Sequence, residues 1–325
     1  MKIIAELCQN HGGSVDLLLK MADTAASAGA THIKVQHITA ANLCYRPEFE
    51  IPKPLSVHDK YHLYRPWNLE FSRLSSLELS SKEYITFVNH VLNLGLIPLT
   101  TCFTRGDINS IRDQGFKEIK VASYDCSSYA LVRELAKAFS HIYVSTGASY
   151  SAEVSHTADL LKLYSTSFSL LHCRTIYPTP LALINLCNMI ALKAYTPNVG
   201  LSDHSSPLEL QCLATKAAIH LGATVIERHF TTSDRSQTKD GPVSIDSVDL
   251  QDIVLFSKLS HADQALALNE ICADWQSLII GTLSDELSQE ELANRSYYKG
   301  RFATPRFRGA YHYLDMIQNW DETSL

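Results

Sequence analysis

Two apolar runs end in the same way. "VGLSDHSS" (199–206) carries Ser202 and His204, and "ATVIERHF" (223–230) carries Glu227 and His229. Residues two apart on a strand share a face, so each pair points one way. Two histidines at matching ends of neighbouring strands are candidate neutral-imidazole ligands for a divalent metal. Taken singly, each also reads as a hydrogen-bonded core or surface residue. Other short apolar runs place polar groups at the same end: Glu6, Lys34, Thr101, Lys120, Ser123, Ser145, Thr146, His172 and Tyr177. Buried strands need a reason to carry such groups. Two lysines, several hydroxyls and the "STG" at 145–147 suit a phosphate and a carboxylate. A structural ion pair between Glu6 and Lys34 is the plainer reading of those two residues. Only the combination points to a catalytic rim.

Eight short, β-branched runs supply these positions: 2–8, 31–36, 96–101, 118–123, 141–146, 167–173, 198–203 and 224–230. Between them lie segments of helical spacing. Ser14 caps one whose face is Leu17, Leu18, Met21, Ala22 and Ala25, with Gly29 as its stop. Residues 81–94 place Tyr84, Ile85, Val88, Val91 and Leu92 on one side, and Pro207 opens a helix over 206–221. Strand and helix alternate to about residue 260. That pattern predicts an α/β fold, a (β/α)8 TIM barrel over 1–270, with its site at the C-terminal rim. An open doubly wound sheet fits less well, because "NHGGS" lacks a G-x-G-x-x-G fingerprint. Residues 39–80 form a long aromatic insertion after the second strand, either closing the rim or packing on it. Residues 271–325 read as a C-terminal extension too short for a domain with its own core.

Composition narrows the classes. Hydrophobic residues make up 46% and charged residues 19%, with a net charge of −6. That balance gives no drive toward nucleic acid or an anionic membrane. No apolar run reaches the length of a membrane span, and "MKIIAELCQN" has no signal-peptide core. The eight cysteines show no CxxC pairing and sit mostly in apolar runs, which predicts reduced, buried thiols in a cytoplasmic protein.

In order, "IAELCQNHGGS", "IKVQH", "TTCFTR", "IKVASYDC", "VSTGAS", "LLHCRTIYPTP", "VGLSDHS" and "VIERHFT" resemble the sialic acid synthase family over roughly residues 1–260. The resemblance implies condensation of phosphoenolpyruvate with an open-chain N-acetylated hexosamine in a (β/α)8 barrel, releasing phosphate by C–O cleavage. It implies a divalent cofactor, Mn²⁺ or Mg²⁺, on His204 and His229, and a homodimer. Lys34, Thr101, Lys120, Ser123, Ser145 and Ser202 resemble the phosphoenolpyruvate contacts. Glu6 resembles the carboxylate that manages water and its proton, and Asp125 and Tyr177 resemble acceptor contacts.

The departures cluster near the same positions. The family usually has Glu at Asp125, Asn at Thr175 and Gly at Tyr124, and Arg174 is atypical. Thr175 is kept among the expected substrate-binding residues. Asp240, in "TKDGPVSI", is the candidate sugar-binding aspartate, although it precedes "GP". The family's C-terminal antifreeze-like domain, which lends an arginine to a partner subunit, has no recognisable pattern here. Arg295, Arg301, Arg306 and Arg308 are candidate replacements. Two other readings stay open: a catalytically silent barrel that binds phosphoenolpyruvate or a sugar, and a related synthase making another 3-deoxy-keto acid from a different aldose.

Overall fold

The computed structural model describes residues 1–52, 63–307, 309 and 311–325. Eight parallel strands close into one barrel in sequence order. They are β1 (Lys2–Glu6), β2 (His32–Gln36), β3 (Ile97–Thr101), β4 (Glu118–Val121), β5 (His141–Ser145), β6 (Ser167–His172), β7 (Val199–Asp203) and β8 (Val225–His229). Closure is the pairing of β1 with β8, where Glu6 stands opposite His229. All eight predicted runs are therefore strands of one sheet, and the (β/α)8 reading holds.

The helices follow as expected, with local corrections. They are α1 (Val15–Ser27), α2 (Trp67–Ser75), α3 (Ser81–Asn93), α4 (Ile108–Asp113), α5 (Tyr129–Ala138) and α6 (Ser151–Leu163). Then come α7 (Leu186–Ala191), α8 (Leu213–His220), α9 (Ser247–Ser257), α10 (His261–Ile271), α11 (Trp275–Ile279) and α12 (Gln289–Tyr298). Ser14 accepts from the Leu17 amide at 3.2 Å, and Leu18, Met21, Ala22 and Ala25 are buried. In α3 the buried face is Tyr84, Phe87, Val88 and Val91. Ile85 and Leu92, expected on that face, are exposed at 41% and 53%. They lie one step off the stripe that 84, 87, 88 and 91 form at helical spacing. The helix expected from Pro207 starts only at Leu213. Leu210, Gln211 and Cys212 have φ of 46°, 51° and 57°, a left-handed turn that a right-handed helix cannot run through.

The barrel interior has two levels. Ile4, Leu99, Tyr143, Leu171 and Val225 form an apolar plug inside the barrel. The polar residues sit above it, one pleat nearer the C-terminal ends. Gly200 lets β7 lie against β8, because a Cβ there would stand 1.9 Å from the Val225 carbonyl oxygen.

The insertion and the C-terminal segment meet over the mouth. Leu43 bridges Phe302, the Cys44 amide donates to the Arg301 carbonyl at 2.9 Å, and the Ala303 amide donates to that of Asn42 at 3.0 Å. Ile38, Ala40, Leu43, Leu74, Leu77 and Phe302 bury together as a small separate core. Two short strands, β9 (Thr304–Pro305) and β10 (Met316–Ile317), pair antiparallel beyond it. Trp275 and Ile279 join the barrel's own core, so that core draws on residues past 270. Residues 53–62 of the insertion, and Arg308, lie outside the described residues. Among the described residues no helix is long and apolar enough to cross a membrane.

Candidate active site

A cavity of about 390 Å³ opens at the C-terminal mouth of the barrel. Its walls include Glu6, Lys34, Thr101, Lys120, Ser123, Asp125, Ser145, Tyr177, Ser202, His204, His229 and Asp240. Those are all the expected site residues except Thr175. The Thr175 side chain is fully buried, and its methyl carbon fills space that Gly147 leaves, 2.8 Å from where a Cβ would be. Asn294 of α12 donates to the Thr175 carbonyl at 2.7 Å instead. Thr146 and His172 also turn away from the mouth. Each follows an inward residue, Ser145 or Leu171, and bonds to a backbone carbonyl, that of Leu171 or of Ile184, rather than lining the cavity.

Strand register brings the charged groups together. Glu6 is opposite Lys34, Thr101 opposite Lys120, and Ser202 opposite Glu227. Lys34 contacts both Glu6 and Glu227, the latter at 3.1 Å. Lys120 lies 3.6 Å from Glu227 and donates to Ser145 Oγ at 2.5 Å. Ser202 Oγ donates to Glu227 at 2.7 Å. The ion pair between Glu6 and Lys34 is thus real, but it is one edge of a four-charge cluster that is at most 4% exposed. Burial opposes ionisation of Glu227, yet Lys120 and Lys34 outweigh it and hold its carboxyl well below the usual range. Burial also pulls Lys34 down, and Glu227 and Glu6 more than reverse that. Lys120 is lowered, by burial first and then by Lys34, with Glu227 opposing. Two cations balance two anions, so an entering anion competes with Glu227 for lysines already in place.

The two histidines lie side by side. Their ring centroids are 5.4 Å apart. His204 Nδ1 is 3.0 Å from the Arg174 carbonyl, which assigns its proton to Nδ1 and frees Nε2. Nε2 accepts from the Tyr177 hydroxyl at 3.3 Å. Burial and the neighbouring His229 hold His204 down to about 3, so it is neutral at ordinary pH. His229 Nδ1 is buried with no hydrogen-bond partner among the described residues. Donor atoms of Cys8, His229 and Asp240 all lie within 4.8 Å of one another. Two imidazoles, one with an orphaned ring nitrogen, a thiol and a carboxylate fit a divalent cation. His204 stands beside this close trio rather than within it.

Some lining residues were not foreseen. Cys8 read as a small hydrophobe, although it shares a face with Glu6. Glu227 shares a strand face with His229, but its sequence context alone assigns it no role. Arg65, Lys239, Asn294 and Tyr298 come from the insertion, the loop after β8 and α12. No strand periodicity marks them. Of the candidate arginines, Arg301 reaches the cavity. Arg295 pairs with Glu153 and Arg306 with Asp315. The departures at Tyr124 and Arg174 gain a reason. Tyr124 stacks on Tyr298 with centroids 4.9 Å apart, and Arg174 pairs with Glu291 at 2.8 Å. Both hold α12 over the mouth.

A NeuB family model matches residues 21–269. The chain belongs to the NeuB family. A pseudaminic acid synthase of Campylobacter jejuni is 30% identical over 280 residues, covering 85% of this NeuB chain and 78% of that protein. An N,N'-diacetyllegionaminic acid synthase of the same species is 29% identical over 255 residues, or 77% and 73% of the two chains. The crystal structure of an N-acetylneuraminic acid synthetase from Leptospira borgpetersenii superposes with a TM-score of 0.67 at 25% identity, covering 90% of each chain. This NeuB chain is an enzyme of that synthase class. A DAHP synthase from Thermotoga maritima, at 14% identity and a TM-score of 0.57, shares the fold.

Proposed function

We propose that this barrel condenses phosphoenolpyruvate with an open-chain N-acetylated hexosamine to give a nonulosonic acid and phosphate. The observation that carries the reading is the buried cluster of Glu6, Lys34, Lys120 and Glu227 directly below the His204–His229 pair. A silent barrel has no need to bury four charges under a pair of imidazoles. The named activities of the relatives support the same class.

Lys34 and Lys120, with Ser123, Ser145, Ser202 and Thr101, receive the phosphate and carboxylate of phosphoenolpyruvate. Their ammonium and hydroxyl donors are preorganised, so little reorganisation accompanies binding. The acceptor lies above, against Tyr177 and Asp125. His204 and His229 would hold a divalent cation. When bound, such an ion supplies Lewis-acid polarisation of a carbonyl oxygen. The new bond joins phosphoenolpyruvate C3 to the aldehyde carbon. Glu6 holds the water that adds at C2 and takes its proton. Phosphate then leaves with its bridging oxygen and the proton of the C2 hydroxyl, which becomes the ketone, while the proton taken by Glu6 completes the new hydroxyl at the former aldehyde oxygen. The site works in the cytoplasm, where phosphoenolpyruvate is made, and a homodimer is expected.

The test is phosphate release from phosphoenolpyruvate by the full chain, with N-acetylmannosamine, diacetamido-trideoxyhexoses or unacetylated aldoses, with and without a chelator. Release that needs an N-acetylated acceptor and is stopped by the chelator supports the reading. Release with an unacetylated aldose alone points to a different 3-deoxy-keto acid. Binding of phosphoenolpyruvate without release under any condition overturns it in favour of the silent barrel.

A further inference from the structure

We infer that Cys8 is a metal ligand, which with His229, Asp240 and His204 makes a thiolate-containing site for a borderline divalent cation. The inference rests on the metal-assisted reading above and goes beyond its two histidines. Three separate elements deliver the close donors: the end of β1, the end of β8, and the loop after it. Their donor atoms lie within 4.8 Å of one another. Metal–donor bonds of about 2.0–2.3 Å put neighbouring donors roughly 3.3–3.7 Å apart in a tetrahedron, so small side-chain rotations close the set. Cys8 Sγ already stands 2.8 Å from Asp240 Oδ2.

The backbone at Cys8 is built to aim the thiol. Its φ is 49°, in the left-handed region that a non-glycine residue rarely adopts. Its amide donates to Glu6 Oε1 at 2.6 Å, which fixes the turn. The turn carries the sulfur to the cavity wall, on the face shared with Glu6. There Cys8 is 2% exposed and Asp240 closes over it. Among the described residues, His229 Nδ1 has no hydrogen-bond partner, and His204 Nε2 faces the same cavity with the Tyr177 hydroxyl on it.

A thiolate changes which ion the site prefers. Sulfur favours Zn²⁺, Fe²⁺ and Co²⁺, whereas Mg²⁺ and Mn²⁺ suit all-oxygen or mixed oxygen sites. The alternative is that Cys8 simply donates a hydrogen bond to Asp240 and binds nothing.

The experiment uses the full-length protein with Co²⁺ as the probe, read by absorption and by metal analysis after desalting. Thiolate-bound Co²⁺ gives an intense near-ultraviolet charge-transfer band in addition to the weaker visible ligand-field bands. The expected result is both in the wild type. In Cys8→Ser and Cys8→Gly, the charge-transfer band disappears, visible absorption remains, and Co²⁺ binds at least about tenfold more weakly. Cys8→Gly is included because glycine tolerates the left-handed φ. Co²⁺ bound by the wild type without that band overturns the role of Cys8 and leaves the two-histidine reading standing. A band that survives in both variants assigns the thiolate to another cysteine and also overturns it. Failure of the wild type to bind Co²⁺ or Zn²⁺ overturns the inference and the metal reading together.

Discussion

Arg301 Nη2 lies 2.6 Å from Glu70 Oε2, tying the C-terminal segment to the insertion helix α2 across the cavity mouth. Arg73 shares the same carboxylate at 3.0 Å. Arg301, Arg65 and Lys239 all reach the cavity, and burial with Arg73 and Arg301 lowers Lys239 to about 8. These cations line the cavity beside the carboxylates of Asp240 and Glu290, and on the proposed reading Arg301 faces the acceptor. Arg301→Ala leaves Glu70 paired with Arg73, so the fold should persist. The expected outcome is a rise of about tenfold in acceptor KM with phosphoenolpyruvate KM unchanged. Equal changes in both would place Arg301 in the scaffold instead.

Lys120 sits below, against Ser145 and Glu227. Lys120→Ala removes a charge-assisted donor from the expected phosphate position. It should raise phosphoenolpyruvate KM by about 10- to 100-fold and acceptor KM much less. Initial rates with each substrate varied in turn decide this, and the reverse ordering would show that the two subsites are exchanged.

Asp125 predicts a pH dependence. Burial raises its carboxyl from 3.8 to about 6, while Asn319 and Ser128 hold it down only in part. The folded state therefore binds the proton more tightly than the unfolded chain. Its stabilising contribution is complete below about pH 4 and is lost as pH rises through about 6. Asparagine accepts the same two bonds without the charge. Asp125→Asn should gain stability relative to wild type over that window, by up to about 3 kcal/mol, and stay level above it. Chemical denaturation at a series of pH values measures the difference; a difference that stays flat across the window would mean that the carboxyl titrates normally.

Arg174 and Glu291 join the loop after β6 to α12, and Glu291 is 1% exposed. Arg174→Met removes that carboxylate's cation and leaves it only the Ser288 amide and hydroxyl as donors among the described residues. The expected cost is about 3 kcal/mol, concentrated in the C-terminal segment. Hydrogen exchange should show α12 losing protection while the barrel strands keep theirs. Uniform loss across the chain would mean that the segment is part of the barrel's cooperative unit.

The eight strands, their order and the inward polar set were legible because each rests on a local rule. A period of two sorts faces, short β-branched runs mark strands, and the C-terminal ends of barrel strands carry chemistry. These rules place Glu6, Lys34, Lys120, Ser202, His204 and His229 on the inward face, and all six line the cavity. Thr175 was not settled by such rules, because its direction depends on the space left by Gly147 on another loop.

What the sequence determined by itself is the barrel and the floor of its site. Once each inward face is set, a one-residue slip of any strand would turn its polar set out of the barrel, so the pattern strongly restricts the register. What only the tertiary structure decided is the roof. Arg301 over Glu70, Tyr124 on Tyr298, and Cys8 beside Asp240 join residues between about 170 and 232 positions apart along the chain, and at least one partner of each pair lies in a segment with no strand period. Side chains in such segments are aimed by what they pack against, so their roles appear only once the chain has closed on itself.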